Sequence, residues 1–300
     1  MAGLTGAEQG FLLLTSRLGN PDRKTLSVAQ LRTLASRVRI LDRDPEDRDL
    51  EVRDLVAAGY GNAAAEHILR LLEETELLEY YVNKGLRAGC VPITRASSQY
   101  PAAVRKRLGL DAPGCLWARG DLSLLDTPTI ALVGSRDLRE PNRAFAEEVG
   151  RQAALQGITL VSGNARGADK TAQNACLAMG GRVISVVADP LIQHRVRENV
   201  LYLSEDGYEE EFSAQRALSR NRVIHALGSI ALVAQATLQS GGTWDGTSRN
   251  LRFGWSGVCC FDDGSDAALV LEQMGARKIL REDLSDLPAL AITDINLFDQ

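Results

Sequence analysis

Eight residues, Ser162 to Asp169, carry the spacing most suited to chemistry in this chain. Ser162, Gly163, Gly167 and Asp169 crowd between an apolar run, GITLV, and a small-residue helical pattern, TAQNACLAM. That order predicts a strand, a glycine-rich turn and the start of a helix. The first N–H groups of a helix lack intrahelical partners and can hold a phosphate or another anion. Arg166 and Lys170 would place mobile positive charge beside them. The same turn could equally be a tight connection, with Asp169 capping its helix by accepting backbone N–H bonds. Taken alone, the segment leaves both readings open. For Asp169 we expect the turn-fixing role rather than acid catalysis.

Two more glycine turns follow predicted strands. Gly134-Ser135-Arg136 follows TIALV, and SGGTWDGT, which contains Gly241, Gly242 and Thr243, follows SIALVAQA. In a doubly wound sheet, loops at the strand carboxyl ends meet in one crevice. Each turn alone is explained by βα geometry. Three together, each with an Arg or a hydroxyl beside it, point to an anion-binding floor. Arg136, Arg166, Arg220 and Arg222 lie in or near these loops, and a guanidinium's forked donors suit phosphate. Other chemistries lack their motifs. There is no G-x-G-x-x-G, no GxxxxGK[ST], no GxSxG and no HExxH. No carboxylate pair stands out as an acid/base couple, and Asp245 is the one acid in the third loop. The five cysteines include no CxxC pair, and His67, His194 and His225 carry no ligand spacing. We therefore expect reduced thiols, no metal and no cofactor.

These loops need a scaffold. From Thr129 the pattern alternates short β-branched runs with helical periods: TIALVG, NRAFAEEVGRQAALQ, GITLVSG, TAQNACLAMG, GRVISVVA, then AQRALSRNRVIHALG, SIALVAQA, SRNLRFGW, GVCCFDD and SDAALVLEQMG. It predicts an α/β fold of the Rossmann-like, doubly wound kind, with at least five strands in a mainly parallel sheet over residues 129–280. Residues 1–85 read as a helical N-terminal domain, with helices near 4–19 and 27–41 and a charged bend from Asp42 to Glu51. Two further helices are broken at Gly59-Tyr60-Gly61-Asn62, a break that resembles a helix-hairpin-helix or sterile-alpha-motif unit or serves plain helical packing. Residues 86–128, with four prolines, read as a linker or extension of the sheet domain. In them Arg105, Lys106 and Arg107 are expected on a solvated face. Residues 281–300 read as an acidic, partly ordered tail.

Composition narrows the class of partner. At 300 residues, 45% hydrophobic and 24% charged, the chain suits a soluble globular protein of two domains, or of one large domain with an appendage. Its start, MAGLTGAEQGFLLL, lacks a basic leader, so we expect no secretory signal, no membrane span and a cytoplasmic location. The net charge of −5 is uneven. Residues 1–128 hold 17 basic and 17 acidic side chains, residues 129–261 hold 14 and 13, and residues 262–300 hold 3 and 9. A local basic face in the middle of the chain is therefore compatible with a polyanionic partner.

The combination of GSR at 134–136, SGNARGADKTA at 162–172, and SRNRVIHALGSIALVAQA at 219–236 followed by SGG resembles the DNA-processing protein A family, also called Smf or DprA. The preceding TRASSQYPAAVRKRLGLDAPGCLWARGDLSLL resembles that family's segment before its Rossmann-like domain, so the likeness covers roughly residues 55–260. The resemblance implies sequence-independent binding of single-stranded DNA in a positively charged pocket. It also implies protection of that DNA, loading of RecA recombinase during DNA uptake, and a homodimer. By motif position, the implied DNA-contacting residues are Gly134, Ser135, Arg136, Ser162, Gly163, Arg166, Gly167, Lys170, Asn221 and Arg222. This sequence departs from the pattern in several places. Gln173 stands where many members carry His. The acidic EDGYEEEF replaces a Pro-rich basic stretch, GGTWDGTSRNLR replaces the usual loop, and no winged-helix domain is expected after residue 280.

A second reading is a nucleotide-ligand protein of the same broad superfamily. GGTWDGT is similar to the PGGxGTxxE loop of phosphoribohydrolases, which release bases from nucleoside monophosphates. Here Ser248-Arg249-Asn250 follow, and no Glu occurs before Glu272. We expect a binding protein rather than an enzyme, with a nucleotide hydrolase as the alternative.

Overall fold

The computed structural model describes residues 3–41, 50–205 and 207–292. In chain order the elements are α1 (Gly6–Thr15), α2 (Val28–Arg39), α3 (Val52–Ala57), α4 (Asn62–Glu73), α5 (Thr75–Arg87), β1 (Val91–Thr94), α6 (Ala102–Leu108), β2 (Cys115–Gly120), β3 (Thr129–Val133), α7 (Glu140–Leu155), β4 (Thr159–Ser162), α8 (Ala168–Ala178), β5 (Val183–Val187), β6 (Val200–Glu205), α9 (Ala214–Leu227), β7 (Ile230–Val233), α10 (Gly241–Phe253), β8 (Gly257–Phe261), α11 (Asp266–Gln273), β9 (Arg277–Ile279) and α12 (Leu287–Ile292).

The strands form one sheet in the order β1-β2-β6-β5-β4-β3-β7-β8-β9. From β6 to β9 all neighbours are parallel, and β2 and β1 extend the β6 edge by antiparallel pairing. This is a Rossmann-like α/β fold. Its strands read as nearly continuous apolar runs because both faces are covered. Ala131 and Val133 of β3 join a core with Val223, Ile224 and Leu227 of α9. Ile130 and Leu132 point the other way, toward Phe145 and Val149 of α7 and Ala172 of α8. Over β2, β5 and β6 that second face is covered by α1 and α5, through Leu12, Leu78, Tyr81, Trp117 and Tyr208. A separate small core, with Leu14, Leu34, Leu55, Ile68 and Leu71, holds α1 to α4 together.

Several local expectations change. Residues 86–128 carry two strands of the sheet and the helix α6. Pro92 is tolerated because β1 is an edge strand. Arg107 does not lie on a solvated face: it donates to the carbonyls of Ala226 (2.8 Å) and Gly228 at the end of α9. Arg105 donates to the carbonyls of Arg95 and Ser97, each at 3.0 Å, and covers the Tyr100 ring. The second helix of the glycine-broken pair splits at Glu74, whose ψ of 42° ends α4 and starts α5. At the break itself Gly59 takes a left-handed φ of +86°, and its carbonyl accepts from Arg37 (3.1 Å). At the other end, Leu284, Leu287 and Leu290 are buried in the core under α7, so residues 281–291 pack on the sheet domain. The bend expected at Asp42–Glu51 falls mostly on residues 42–49, and the end of the acidic tail on residues 293–300. Both stretches lie outside the described residues.

Candidate functional site

The chain order around β3 sets the site. From β3 the chain steps to β4 on one side, while β7 pairs with β3 on the other. The carboxyl ends of β3 and β7 therefore flank the switch point of the sheet, where the loops diverge and leave a crevice. A cleft of about 520 Å³ occupies this position. Gly134, Ser135 and Arg136 after β3, Ala165 and Asp169 after β4, Thr237 after β7, the start of α10 and the crevice-facing side of α9 line it.

The two short motifs lock together. The Ala168 N–H donates to the Ser135 carbonyl (3.1 Å). Gly167 has φ +86°, and a Cβ there would collide with the carbonyls of Ser135 and Arg136. At Gly134 a Cβ would approach the Cβ of Ala168 to 2.5 Å. Glycine is needed at both positions because two turns meet there. Asp169 is buried in the first turn of α8 and accepts from the N–H groups of Gly163 (3.1 Å) and Ala165 (3.2 Å). Burial pushes its carboxyl above the usual carboxylate range, while Arg220 and those two donors pull it back.

Arg220 is the residue sequence reasoning undervalued. It is 7% exposed and forms part of the cleft floor. Its guanidinium lies against Gly163, where any Cβ would overlap it, and donates to the Val186 carbonyl (2.8 Å). Its Nε has no partner among the described residues. Burial lowers its pKa from the ordinary arginine value, opposed by Asp169 and Asp189. The usable signal was the glycine at 163, whose missing side chain makes room for this guanidinium.

The other expected site residues divide. Gly241, Gly242 and Thr243 line the cleft, but as the first turn of α10 rather than as a loop. Ser240 precedes that helix with no side-chain capping bond, so the end of α10 is uncapped toward the cleft. Two glycines of GGTWDGT serve helix packing, while Gly241 takes a left-handed φ of +81° with open space around it. A Cβ at Gly242 would sit 3.3 Å from Asn221 Nδ2, and one at Gly246 would sit 3.2 Å from His225 Nε2. Asn221 lines the cleft, but its amide donates to the Gly242 carbonyl (3.0 Å). Ser162 lies beneath the turn, buried, and accepts from Gln173 (2.6 Å), which also donates to Ser185 (3.0 Å). Arg166 is exposed and pairs with Asp137 (2.7 Å), and Lys170 is exposed on α8. Arg222 faces away, donating to the carbonyl of Asp111 (2.8 Å), to Ser219 and to Glu205 (3.1 Å).

The backbone amides are also less available than the glycine pattern suggested. Those of Gly163 and Ala165 serve Asp169, and that of Ser135 donates to the Gln235 carbonyl (3.0 Å). What the cleft offers an anion is therefore Arg136, Arg220 and the start of α10. Asp169 is the one carboxylate lining it. Among the described residues no cluster of His, Cys, Asp and Glu could hold a metal ion, and no helix is long and apolar enough to cross a membrane.

Sheet order and crevice define a Rossmann-like α/β protein with a glycine-lined, arginine-bearing cleft at its switch point. The chain belongs to the DNA recombination-mediator protein A family, whose model matches residues 92–246, the stretch from β1 into α10. It is 34% identical over 141 residues to DNA processing protein DprA of Streptococcus pneumoniae, covering 44% of this chain and 50% of that protein. It is 32% identical over 146 residues to protein Smf of Escherichia coli, covering 44% and 38%. The chain thus spans about half the length, or less, of these curated relatives. Among solved structures, the X-ray structure of the S. pneumoniae protein aligns with a TM-score of 0.66 at 25% identity, over 85% of this chain and 90% of that one. The Helicobacter pylori DNA processing protein A, described for its single-stranded DNA binding mode, shares the fold at TM-score 0.54 and 24% identity, over 65% of this chain and 94% of that one.

Proposed function

We propose that the crevice binds the phosphodiester backbone of single-stranded DNA without reading its sequence, and so shields the strand from nucleases. The observation that carries this reading is the cleft at the switch point, lined by Arg136, Arg220 and the start of α10, a helix end with no side-chain cap. Guanidinium groups and a helix start both favour a phosphate. Donors of both kinds suit phosphate oxygens, which carry no sequence information. The family's part in DNA uptake supports a cytoplasmic protein acting as a homodimer that hands the strand to RecA recombinase, and these finer roles are part of the proposal.

A small nucleotide is the second reading, favoured by the size of the cleft, about 520 Å³, and by the position of GGTWDGT at its rim. A phosphoribohydrolase would need the Glu that closes its motif, and Asp169, the carboxylate lining the cleft, is taken up by the turn it fixes. Asn250, in the region where the similar enzymes carry Glu, is buried and bonded to His225 (3.1 Å) and Ser256. Binding titrations of oligo-dT and of mononucleotides at several salt concentrations separate the two. We expect oligo-dT affinity to fall steeply with log salt, and Arg136→Ala to weaken binding about tenfold. Binding of a mononucleotide but not of oligo-dT at low salt would refute the DNA reading, and release of free base would establish the enzyme.

A further inference from the structure

The crevice is open on the flank that faces the helical N-terminal unit. Phe212, just before α9, and Leu218, within it, line the crevice and are 55% and 42% exposed. Phe212 also lines a second groove, of about 630 Å³, whose far wall is Thr15, Ser16, Arg17 and Thr25 from the helical unit. Leu218 also lines a third, of about 590 Å³, between the start of α2, the turn after α6, and Arg249 of α10. The second and third grooves share Ser27, Gly114, Gln215 and Ser219. The three hollows thus join into one trough that crosses α9 at a saddle made by Phe212 and Leu218.

We infer that this trough carries a polynucleotide beyond the crevice, between the sheet domain and the helical unit, with Arg17 and Arg249 holding the phosphates that follow. The inference rests on the crevice reading above and extends it to a part of the chain outside the matched family region, since Arg17 precedes residue 92. A strand of several nucleotides cannot end inside a cleft of about 520 Å³. It must leave by an open side. Sequence-tolerant strand binders line such a path with basic side chains and apolar faces. The saddle supplies the apolar faces. Arg17 and Arg249 are both exposed and pair with no carboxylate among the described residues, unlike Arg222 in the same trough. Arg249 also rests over the Trp255 ring, 5.6 Å from its centre, which steadies it at the groove wall. Glu210 and Glu211 rim the second groove and Asp111 the third, whereas Glu205 is already paired with Arg222. The trough thus carries both signs of charge, and Arg17 and Arg249 are the arginines lining its second and third grooves with neither a carboxylate nor a carbonyl partner among the described residues, which marks them as the positions for phosphate.

Fluorescence anisotropy with oligo-dT of about 5 and about 20 nucleotides tests this, since single-strand site sizes fall in that span. The proteins compared are wild type, Arg17→Ala, Arg249→Gln and the crevice variant Arg136→Ala, each checked for an unchanged melting curve. The trough predicts that the two trough variants bind the short oligomer as wild type does. Each should lose roughly threefold to fivefold on the long one, with the salt slope lower by about 0.7 per contact removed. Arg136→Ala should weaken both lengths. Wild-type binding of the long oligomer by both trough variants overturns the inference while leaving the crevice reading intact. Indifference of both lengths to Arg136→Ala overturns the crevice reading, and with it the continuity of the trough.

Discussion

On the crevice side of α9, Arg220 is buried and donates to the Val186 carbonyl, and its Nε has no partner among the described residues. Two residues on, Arg222 donates to the carbonyl of Asp111, to the carbonyl and hydroxyl of Ser219, and to the Glu205 carboxylate. Nearby, Arg216 reaches the carbonyls of Ala188, Glu210 and Glu211, and Arg107 caps the end of the same helix from α6. Of these arginines only Arg220 lines the cleft, whereas Arg216, one turn before it on the same side of α9, and Arg222, on the other side, tie the chain together. Counting arginines therefore says little about where an anion binds. What matters is whether the fold already satisfies their donors.

The sharpest way to break this contrast is to remove one arginine from each face. Arg222→Ala breaks the buried pair with Glu205, 6% exposed, and should cost about 3 to 5 kcal/mol of stability in urea unfolding. The protein that remains folded should keep its affinity for oligo-dT. Arg220→Met keeps much of the side-chain volume and should stay closer to wild type in stability. Its affinity should drop about tenfold to a hundredfold, the equivalent of about 1.4 to 2.8 kcal/mol. If both variants lose affinity equally and stability equally, the two faces are not distinct.

The third arc of α9 faces α10 and carries His225. The ring is fully buried, and Asn250 donates to its Nδ1 (3.1 Å), which places the ring proton on Nε2, an atom without a partner among the described residues. Burial holds the pKa down at about 4, from an ordinary 6.5. The unfolded chain thus takes up a proton near pH 6.5, and the folded chain not until about pH 4. Stability from this group is complete above pH 6.5 and is lost as the pH falls toward 4, by about 3 kcal/mol in all. His225→Gln should lose correspondingly less over that range when the two are unfolded in urea at each pH. Parallel curves would show that the ring is already charged or solvated in the native state, and that this arc is not sealed.

Part of this division was legible in the sequence. Apolar runs of β-branched residues marked β3, β4, β5, β7 and β8 because a parallel strand buried on both faces has no polar alternation to blur it. The motifs around Gly134 and Gly167 were legible because backbone crowding leaves only glycine possible there. The edge strands β1 and β2 were hidden by prolines and charges that edge positions permit. The strand β6 was obscured by the acidic stretch that begins at its end. GGTWDGT looked like a loop because glycine is a poor helix former. Its place in α10 is set instead by close approach to Asn221 and His225, a tertiary constraint with no local signature. Likewise nothing in SRNR distinguishes Arg220 from Arg222. A two-residue step turns a side chain by about 200° around a helix, so neighbours in sequence meet different surroundings.

The smallest expected effect concerns the rim of the crevice, between these extremes. Arg166 pairs with Asp137 at 2.7 Å, but the two side chains are 74% and 86% exposed. An exposed pair of this kind contributes about 0 to 1 kcal/mol, so Arg166→Ala should leave the urea midpoint almost unchanged. The pair tethers the turn after β4 to the turn after β3, and a phosphate would compete with Asp137 for the same guanidinium. If Arg166 swings to DNA, Arg166→Ala should lower the salt slope for oligo-dT by about 0.7. Asp137→Ala should then raise affinity slightly, because Arg166 no longer has to leave a carboxylate to reach the strand. A slope unchanged in Arg166→Ala would place this arginine with Arg222, as a link between chain segments, and would confine the ligand to Arg136, Arg220 and the start of α10.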